Sequence, residues 1–326
     1  MEIYDDDPSD ELLSLERPEF LTISGDIQGS RDNSWNPREF LDRIERLPGR
    51  SKVTGLCVNF HTHVEDCEFL NHFPNVEGLW VSGRRLRSLA GIGRLRQLWH
   101  VRVDTGKNNL MRLDALPDSS VTALTICKPR TADIEVINAC PRLTKLDLYG
   151  GDPTPFVRLE STRLQSLKLI RNSMAEIADL GLLGTVSELY IGHSRTLRGI
   201  SCLVPNVRTL TLESCGKFDV ATLANLPNLR YLRIAGATLP FNLGDLAQFA
   251  HLADLTIACA KLSTEPETLS GFPMLNRLWM NPVRDDFTAR IGAQLPQARV
   301  CNGDILTIGG IPQTDIRPYY EQPTNN

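Results

Sequence analysis

Apolar residues return along this chain in the pattern apolar-x-x-apolar-x-apolar, once every 21 to 23 residues and eleven times in all. The pattern falls at Val53/Leu56/Val58, Val76/Leu79/Val81, Leu98/Val101/Val103, Val121/Leu124/Ile126, Leu143/Leu146/Leu148 and Leu164/Leu167/Leu169. It continues at Val186/Leu189/Ile191, Val207/Leu210/Leu212, Leu229/Leu232/Ile234, Leu252/Leu255/Ile257 and Leu275/Leu278/Met280. Apolar positions two apart, inside a stretch of six residues, predict a short strand with one face turned inward. One such strand cannot bury its apolar side alone, whereas a stack of them makes a continuous core. The period therefore predicts a solenoid rather than a closed globule.

Between the strands the apolar residues are spaced by three, clearest at Leu86, Leu89, Ile92, Leu95 and Leu98 and at Met174, Ile177, Leu180 and Leu183. That spacing, with frequent Gly and Pro, predicts 3₁₀ turns and loops on the return side instead of full α-helices. Ahead of the first repeat, Phe20, Leu21 and Ile23 read as a strand. Asn36-Pro37-Arg38-Glu39 reads as a helix start, with Phe40, Leu41, Ile44 and Leu47 at helical spacing behind it. Phe287, Ile291 and Leu295 predict one further helix, and Arg299-Val300-Cys301 a last edge strand. The organisation expected is an acidic disordered lead (1–16), an N-terminal strand–helix cap (17–50), the repeats with a C-terminal cap (51–303) and an extended tail (304–326).

The ladder resembles that of the leucine-rich repeat family, of the 22-residue type also seen in bacterial internalins and phosphatase-regulator proteins. The resemblance covers roughly residues 50–303. It implies an α/β solenoid of horseshoe form, with a parallel β-sheet on the concave face and mostly 3₁₀ and loop structure on the convex side. The family commonly places Asn three residues after the last ladder position, to bond the backbone of the turn. Here only Asn172 fits; other repeats carry residues such as Pro129, Gly151, Ser194 and Cys215. The chemistry of the turns is thus irregular.

If the ladder points inward, the residues alternating with it line the opposite face. The central column reads Cys57, Trp80, Arg102, Thr125, Asp147, Lys168, Tyr190, Thr211, Arg233, Thr256 and Trp279. His100, Lys145, Glu188, Tyr231, Asp254 and Arg277 flank it on one side, and Asp104, Tyr149, Glu213 and Asn281 on the other. Half of the ten Trp and Tyr residues fall on these columns. Exposed Trp and Tyr beside Arg are the types enriched at the energetic centres of protein interfaces. The partner-binding set expected is Trp80, Arg102, Asp147, Tyr149, Lys168, Glu188, Tyr190, Tyr231, Arg233, Arg277, Trp279 and Asn281.

Charge narrows the classes of partner. The net charge is −4, and residues 1–20 hold eight acids against the single base Arg17, leaving a body with 34 basic and 31 acidic residues. Five bases and five acids on the outward columns make no electrostatic track for a phosphate backbone. One basic stretch, Arg84, Arg85, Arg87, Arg94, Arg96 and Arg102, is read as a solvated flank. No apolar run approaches the roughly 18 to 20 residues of a membrane span, and the acidic start is unlike a secretory signal. The eight scattered cysteines read as reduced thiols, so a cytoplasmic chain is expected.

Candidate chemistry adds little. Cys57, His61, His63, Cys67 and His72 are close in sequence, but their spacing matches no usual zinc pattern, and neither metal nor cofactor is expected. Cys301-Asn302-Gly303-Asp304, a Cys-x-x-Asp, is only loosely like the catalytic Cys-x-Asp of bacterial ligases, and the helical domain that accompanies that motif has no room here. No phosphate-binding loop, nucleophile elbow or His-Glu-x-x-His is present. The expectation is a non-enzymatic protein-binding module, monomeric when unbound. In its narrower form it is a bacterial immunity protein or antitoxin that occludes a toxic effector. The alternatives are an adaptor that recruits a phosphatase or ligase and, further off, an unconventional metal-dependent enzyme.

Overall fold

The computed structural model describes residues 2–4, 20–24, 37–58, 65–82, 86–104, 111–151, 159–160, 163–179, 184–236, 246, 248–258, 271–280, 285–302, 305–308 and 311–313. They fall into two compact units, Met1–Leu164 and Gln165–Asn326.

The first unit is built on strands β1 (Glu2–Tyr4), β2 (Phe20–Ser24), β3 (Gly55–Val58), β4 (Gly78–Val81), β5 (His100–Asp104), β6 (Ala123–Cys127) and β7 (Lys145–Tyr149). Each pairs in parallel with the next in chain order. The register sets Leu56, Leu79, Val101, Leu124 and Leu146 side by side, and all are buried. Helix α1 (Pro37–Arg46) opens at Pro37, whose fixed φ and missing N–H suit a first helical position, and buries Ile44.

In the second unit β8 (Ser166–Ile170), β10 (Glu188–Gly192), β12 (Thr209–Glu213), β13 (Tyr231–Ala235), β14 (Asp254–Ala258), β15 (Arg277–Met280) and β16 (Arg299–Asn302) form a parallel sheet in that order. The two-residue strands β9 (Glu176–Ile177) and β11 (Gly199–Ile200) pair separately in the return segments. Every residue of the eleven-fold ladder is buried in one unit or the other. Each fully buried Leu, Ile or Val contributes roughly 1.5–3 kcal/mol of transfer free energy.

The return side is largely 3₁₀, at Arg50–Lys52, Glu68–His72, Ile92–Arg94 and Val220–Asn225, as the three-residue spacing predicts. Helix α2 (Thr131–Asn138) departs from that rule because its first turn is capped strongly. The buried Asp133 carboxylate accepts the Arg130 backbone N–H at 2.7 Å and the Arg130 guanidinium at 2.7 Å. Arg130 Nη2 also donates to the Met111 carbonyl of the preceding repeat. Helix α3 (Asp285–Gln294) occupies the predicted place near the end of the second unit.

Two expectations for the chain ends need correction. Glu2–Tyr4, assigned to a disordered lead, are paired with β2 as β1. Arg299–Cys301 do not end the sheet: β17 (Ile305–Ile308) pairs antiparallel with β16, and β18 (Ile311–Gln313) with β17. A tight antiparallel hairpin needs no return segment, so it leaves no 22-residue period to read.

One turn geometry recurs where the sequence shows no common residue. Two positions beyond the last ladder residue, the backbone is left-handed at Lys128 (φ 56°), Gly150 (63°), Arg171 (57°), His193 (54°), Ser214 (54°) and Gly236 (62°), in six successive repeats. This turns the N–H toward the following strand: Lys128 donates to Tyr149 O at 2.6 Å, Arg171 to Gly192 O at 2.8 Å and His193 to Glu213 O at 2.6 Å. Ser214 donates to Ala235 O at 2.7 Å and Gly236 to Ala258 O at 3.0 Å. One residue further on, where the family places Asn, Asn172, Ser194 and Cys215 are all buried. Ser194 Oγ donates to Gly192 O at 3.3 Å and Cys215 Sγ to Ile191 O at 3.5 Å. Residues of different type thus fill the same structural role.

Neighbouring repeats are also tied by side chains just before the first ladder position. Asn75 Nδ2 donates to Ser51 O at 2.6 Å, Ser120 Oγ to Leu98 O at 2.6 Å and Asn228 Nδ2 to Pro205 O at 2.9 Å. Asn206 bonds Gly184 O in the same manner. These bonds give carbonyls of the preceding repeat partners that the sheet does not supply.

Candidate functional site

With the ladder inside, strand alternation turns the intervening residues outward, as the pattern requires. In the first unit these form a small, ordered cluster. Arg102 on β5 lies over the Trp80 ring of β4, 4.5 Å from its centroid, and 5.6 Å from the centroid of Tyr149 on β7. The guanidinium is held between two aromatic faces, each attractive to a cation. Its Nε is buried and has no hydrogen-bond partner among the described residues. Trp80 remains 39% exposed beside it. Thr125, between Arg102 and Asp147 in the register, is only 5% exposed and meets His100 Nε2 at 3.3 Å.

In the second unit Tyr190 does not stand free. Its hydroxyl donates to Glu213 Oε2 at 2.6 Å, and its ring lies against Gly192, where an added Cβ would come within 2.6 Å of it. His193 Nε2 is 3.7 Å from the other Glu213 oxygen. Tyr231 is 49% exposed, Lys168, Glu188, Arg233 and Arg277 are exposed, and Trp279 is half-buried. Arg277 is ion-paired with Asp254 on the neighbouring strand. Asn281 lies outside the described residues.

The structure thus joins Trp80, Arg102 and Tyr149 in one cluster and places Asp147 beside it in the first unit. It puts Lys168, Glu188, Tyr190, Tyr231, Arg233, Arg277 and Trp279 on the outward face of the second. Sequence reasoning missed Trp99. It is 49% exposed and stacks on His100 with centroids 5.4 Å apart. Strict alternation assigns it inward; it escapes because it precedes the first residue of β5. In the basic flank, Arg84 and Arg85 lie outside the described residues, and Arg94 is paired with Glu68 of the preceding repeat at 3.1 Å.

The electrostatics favour contact over chemistry. Burial pushes the Cys127 and Cys301 thiols on the outward face up from their ordinary range, and Asp104 pushes Cys127 further the same way. A nucleophilic thiolate needs the opposite shift. Cys67 is buried and its thiol is also pushed well up, first by burial and then by Asp66 and Glu68. His61 and His63 lie outside the described residues. Among the described residues no group of three or more His, Cys, Asp or Glu could hold a metal, and no helix is long and apolar enough to cross a membrane.

Stacked parallel strands on a repeating apolar ladder, returned by 3₁₀ turns, define the leucine-rich repeat fold, and this chain has that fold. No protein-family model and no curated protein matches the sequence. Among solved structures it is similar to TLR13 in complex with ssRNA13, with a TM-score of 0.58 and 14% identity, over 87% of this chain and 46% of that one. It is also similar to the Toll–Spatzle complex of Drosophila, with a TM-score of 0.54 and 14% identity, over 88% and 42%. The internalin InlF of Listeria monocytogenes matches over 85% of this chain and 79% of its own, at 17% identity and a TM-score of 0.44. The chain spans less than half the length of the TLR13 and Toll-complex chains. At these identities the likeness is one of fold.

Proposed function

We propose that this chain is a non-enzymatic recognition module that binds a protein partner on the outward face of its sheet. The observation that carries the reading is Arg102, fixed between Trp80 and Tyr149 on rigid strands. Trp, Tyr and Arg dominate interface energetics, and a guanidinium already held in place loses little side-chain freedom on binding. Hydrophobic coverage by its own chain would leave such a group hidden, whereas Trp80 is open beside it.

The test is capture from native lysate with wild type and with Trp80→Ala/Arg102→Ala, both checked for fold by circular dichroism. Hot-spot truncation costs about 2 kcal/mol or more, so a partner held by wild type should bind the variant at least about thirtyfold more weakly. Equal affinity for both proteins overturns the proposal. In its narrower form the partner is a toxic effector whose active site the face covers, as an immunity protein or antitoxin does. Inhibition of the captured partner in a one-to-one mixture supports that form. A captured partner that keeps full activity refutes it and favours a recruiting adaptor.

A further inference from the structure

Charge is shared unevenly along the outward strands: Glu188 and Glu213 lie on β10 and β12, ahead of an arginine-bearing stretch on β13–β16. On β5–β7 of the first unit, Arg102 and Lys145 are accompanied by Asp104 and Asp147. On β13–β16 of the second, the register sets Tyr231, Asp254, Arg277 and Arg299 in one row and Arg233, Thr256, Trp279 and Cys301 in the next. Arg233, Arg277 and Arg299 share these rows with one aspartate, Asp254, whose side chain is 15% exposed and paired with Arg277. Arg208 and Arg230, both exposed, directly precede β12 and β13 and add two more cations at the strand ends that carry Tyr231. Arg233 is exposed and forms no ion pair among the described residues.

Four strands at a spacing of about 4.8 Å span roughly 14 Å, the reach of four or five residues of extended chain. We propose that this grid receives an extended acidic segment of the protein partner. Its carboxylates pair with Arg233 and Arg277, while its intervening apolar residues pack on Tyr231 and Trp279. Guanidinium groups suit carboxylates because both present two parallel hydrogen-bonding positions. A nucleic acid fits less well. Its evenly charged backbone would pass Asp254 in the middle of the row, and so few cations release few counterions. The inference rests on the reading of the chain as a protein-binding module and adds the chemistry of what it binds.

The probe is a fluorescein-labelled peptide of about ten residues alternating Glu and Tyr, with a Gln–Tyr counterpart and a single-stranded RNA of similar length. Each is titrated against the full chain by fluorescence anisotropy at about 50 and about 300 mM salt, which brackets the range where screening grows. The Glu peptide should bind about tenfold or more tightly than the Gln peptide at low salt, and the advantage should shrink at high salt. Arg233→Glu, at an exposed site, should remove most of that advantage, and Arg277→Gln should reduce it about fivefold. Arg96→Gln, at an exposed site of the other unit, should leave it unchanged.

Equal binding of the Glu and Gln peptides overturns the inference. So does a preference for RNA that the same substitutions abolish, or an unaltered Glu-peptide affinity in a folded Arg233→Glu protein. The two proposals fail separately. A partner lost by Trp80→Ala/Arg102→Ala alongside indifference to peptide charge sinks only this inference. A charge-selective grid with a partner indifferent to that pair overturns the proposed role of Trp80 and Arg102 and leaves the grid's charge selectivity standing.

Discussion

Left-handed backbone at Lys128, Arg171, His193 and Ser214 places a steric load on residues that have a Cβ. For an L-residue this conformation costs roughly 1–2 kcal/mol, and glycine relieves it at an entropic penalty of roughly 0.5–1 kcal/mol. Arg171→Gly should therefore raise stability by a few tenths to about 1 kcal/mol, read as a higher denaturation midpoint at unchanged slope. An unaltered or lower midpoint would mean that the Arg171 side chain makes contacts worth more than the strain. Gly150 and Gly236 mark the turn in the sequence, but nothing marked it at the other four positions. Their conformation is imposed by the N–H bond each makes to the next strand, which is tertiary information. Trp99 escaped for a related reason: alternation is a rule for residues inside a strand, and Trp99 is one residue outside.

The repeating strands were legible because their inward residues all meet one requirement, burial, and meet it at a fixed period. Helix α2 was not legible. Its capping residue Asp133 pairs with Arg130, and Arg130 reaches back to Met111 in the preceding repeat. Asp133→Asn keeps the volume but removes the charge that holds the guanidinium. The loss should be about 1.5–3 kcal/mol, the range for a hydrogen bond to a charged group, detectable as a lower urea midpoint. A change below about 0.5 kcal/mol would show that α2 is held by Ile134 and Ile137 in the core instead. Strands β17 and β18 were missed because antiparallel pairing onto β16 needs no ladder.

At the scale of the whole molecule, the thiols make stability depend on alkali. Burial raises Cys140 from 9.0 to about 11, and Cys215 moves in the same direction. Such a thiol stays protonated in the folded chain while ionising in the unfolded one. Its contribution is therefore complete below pH 9 and is lost as pH rises towards about 11. Across pH 7 to 11, the stability advantage of wild type over Cys140→Ala should be flat at first and then shrink. An advantage constant throughout would show that Cys140 ionises alike in both states. Charge was the least legible property at this scale. Counted over the whole face, five bases and five acids cancel, and only the register reveals that the arginines gather on β13–β16.

The closing hairpin of the second unit has a consequence for assembly. A stack of parallel strands ends, in principle, in a row of unused amide and carbonyl groups onto which another molecule can polymerise. Among the described residues the last strand at this end is β18, three residues long, and its middle residue, Pro312, has no amide hydrogen to give. Whatever else the hairpin does, it acts as a chain terminator: it keeps a surface built by repetition from being repeated between molecules.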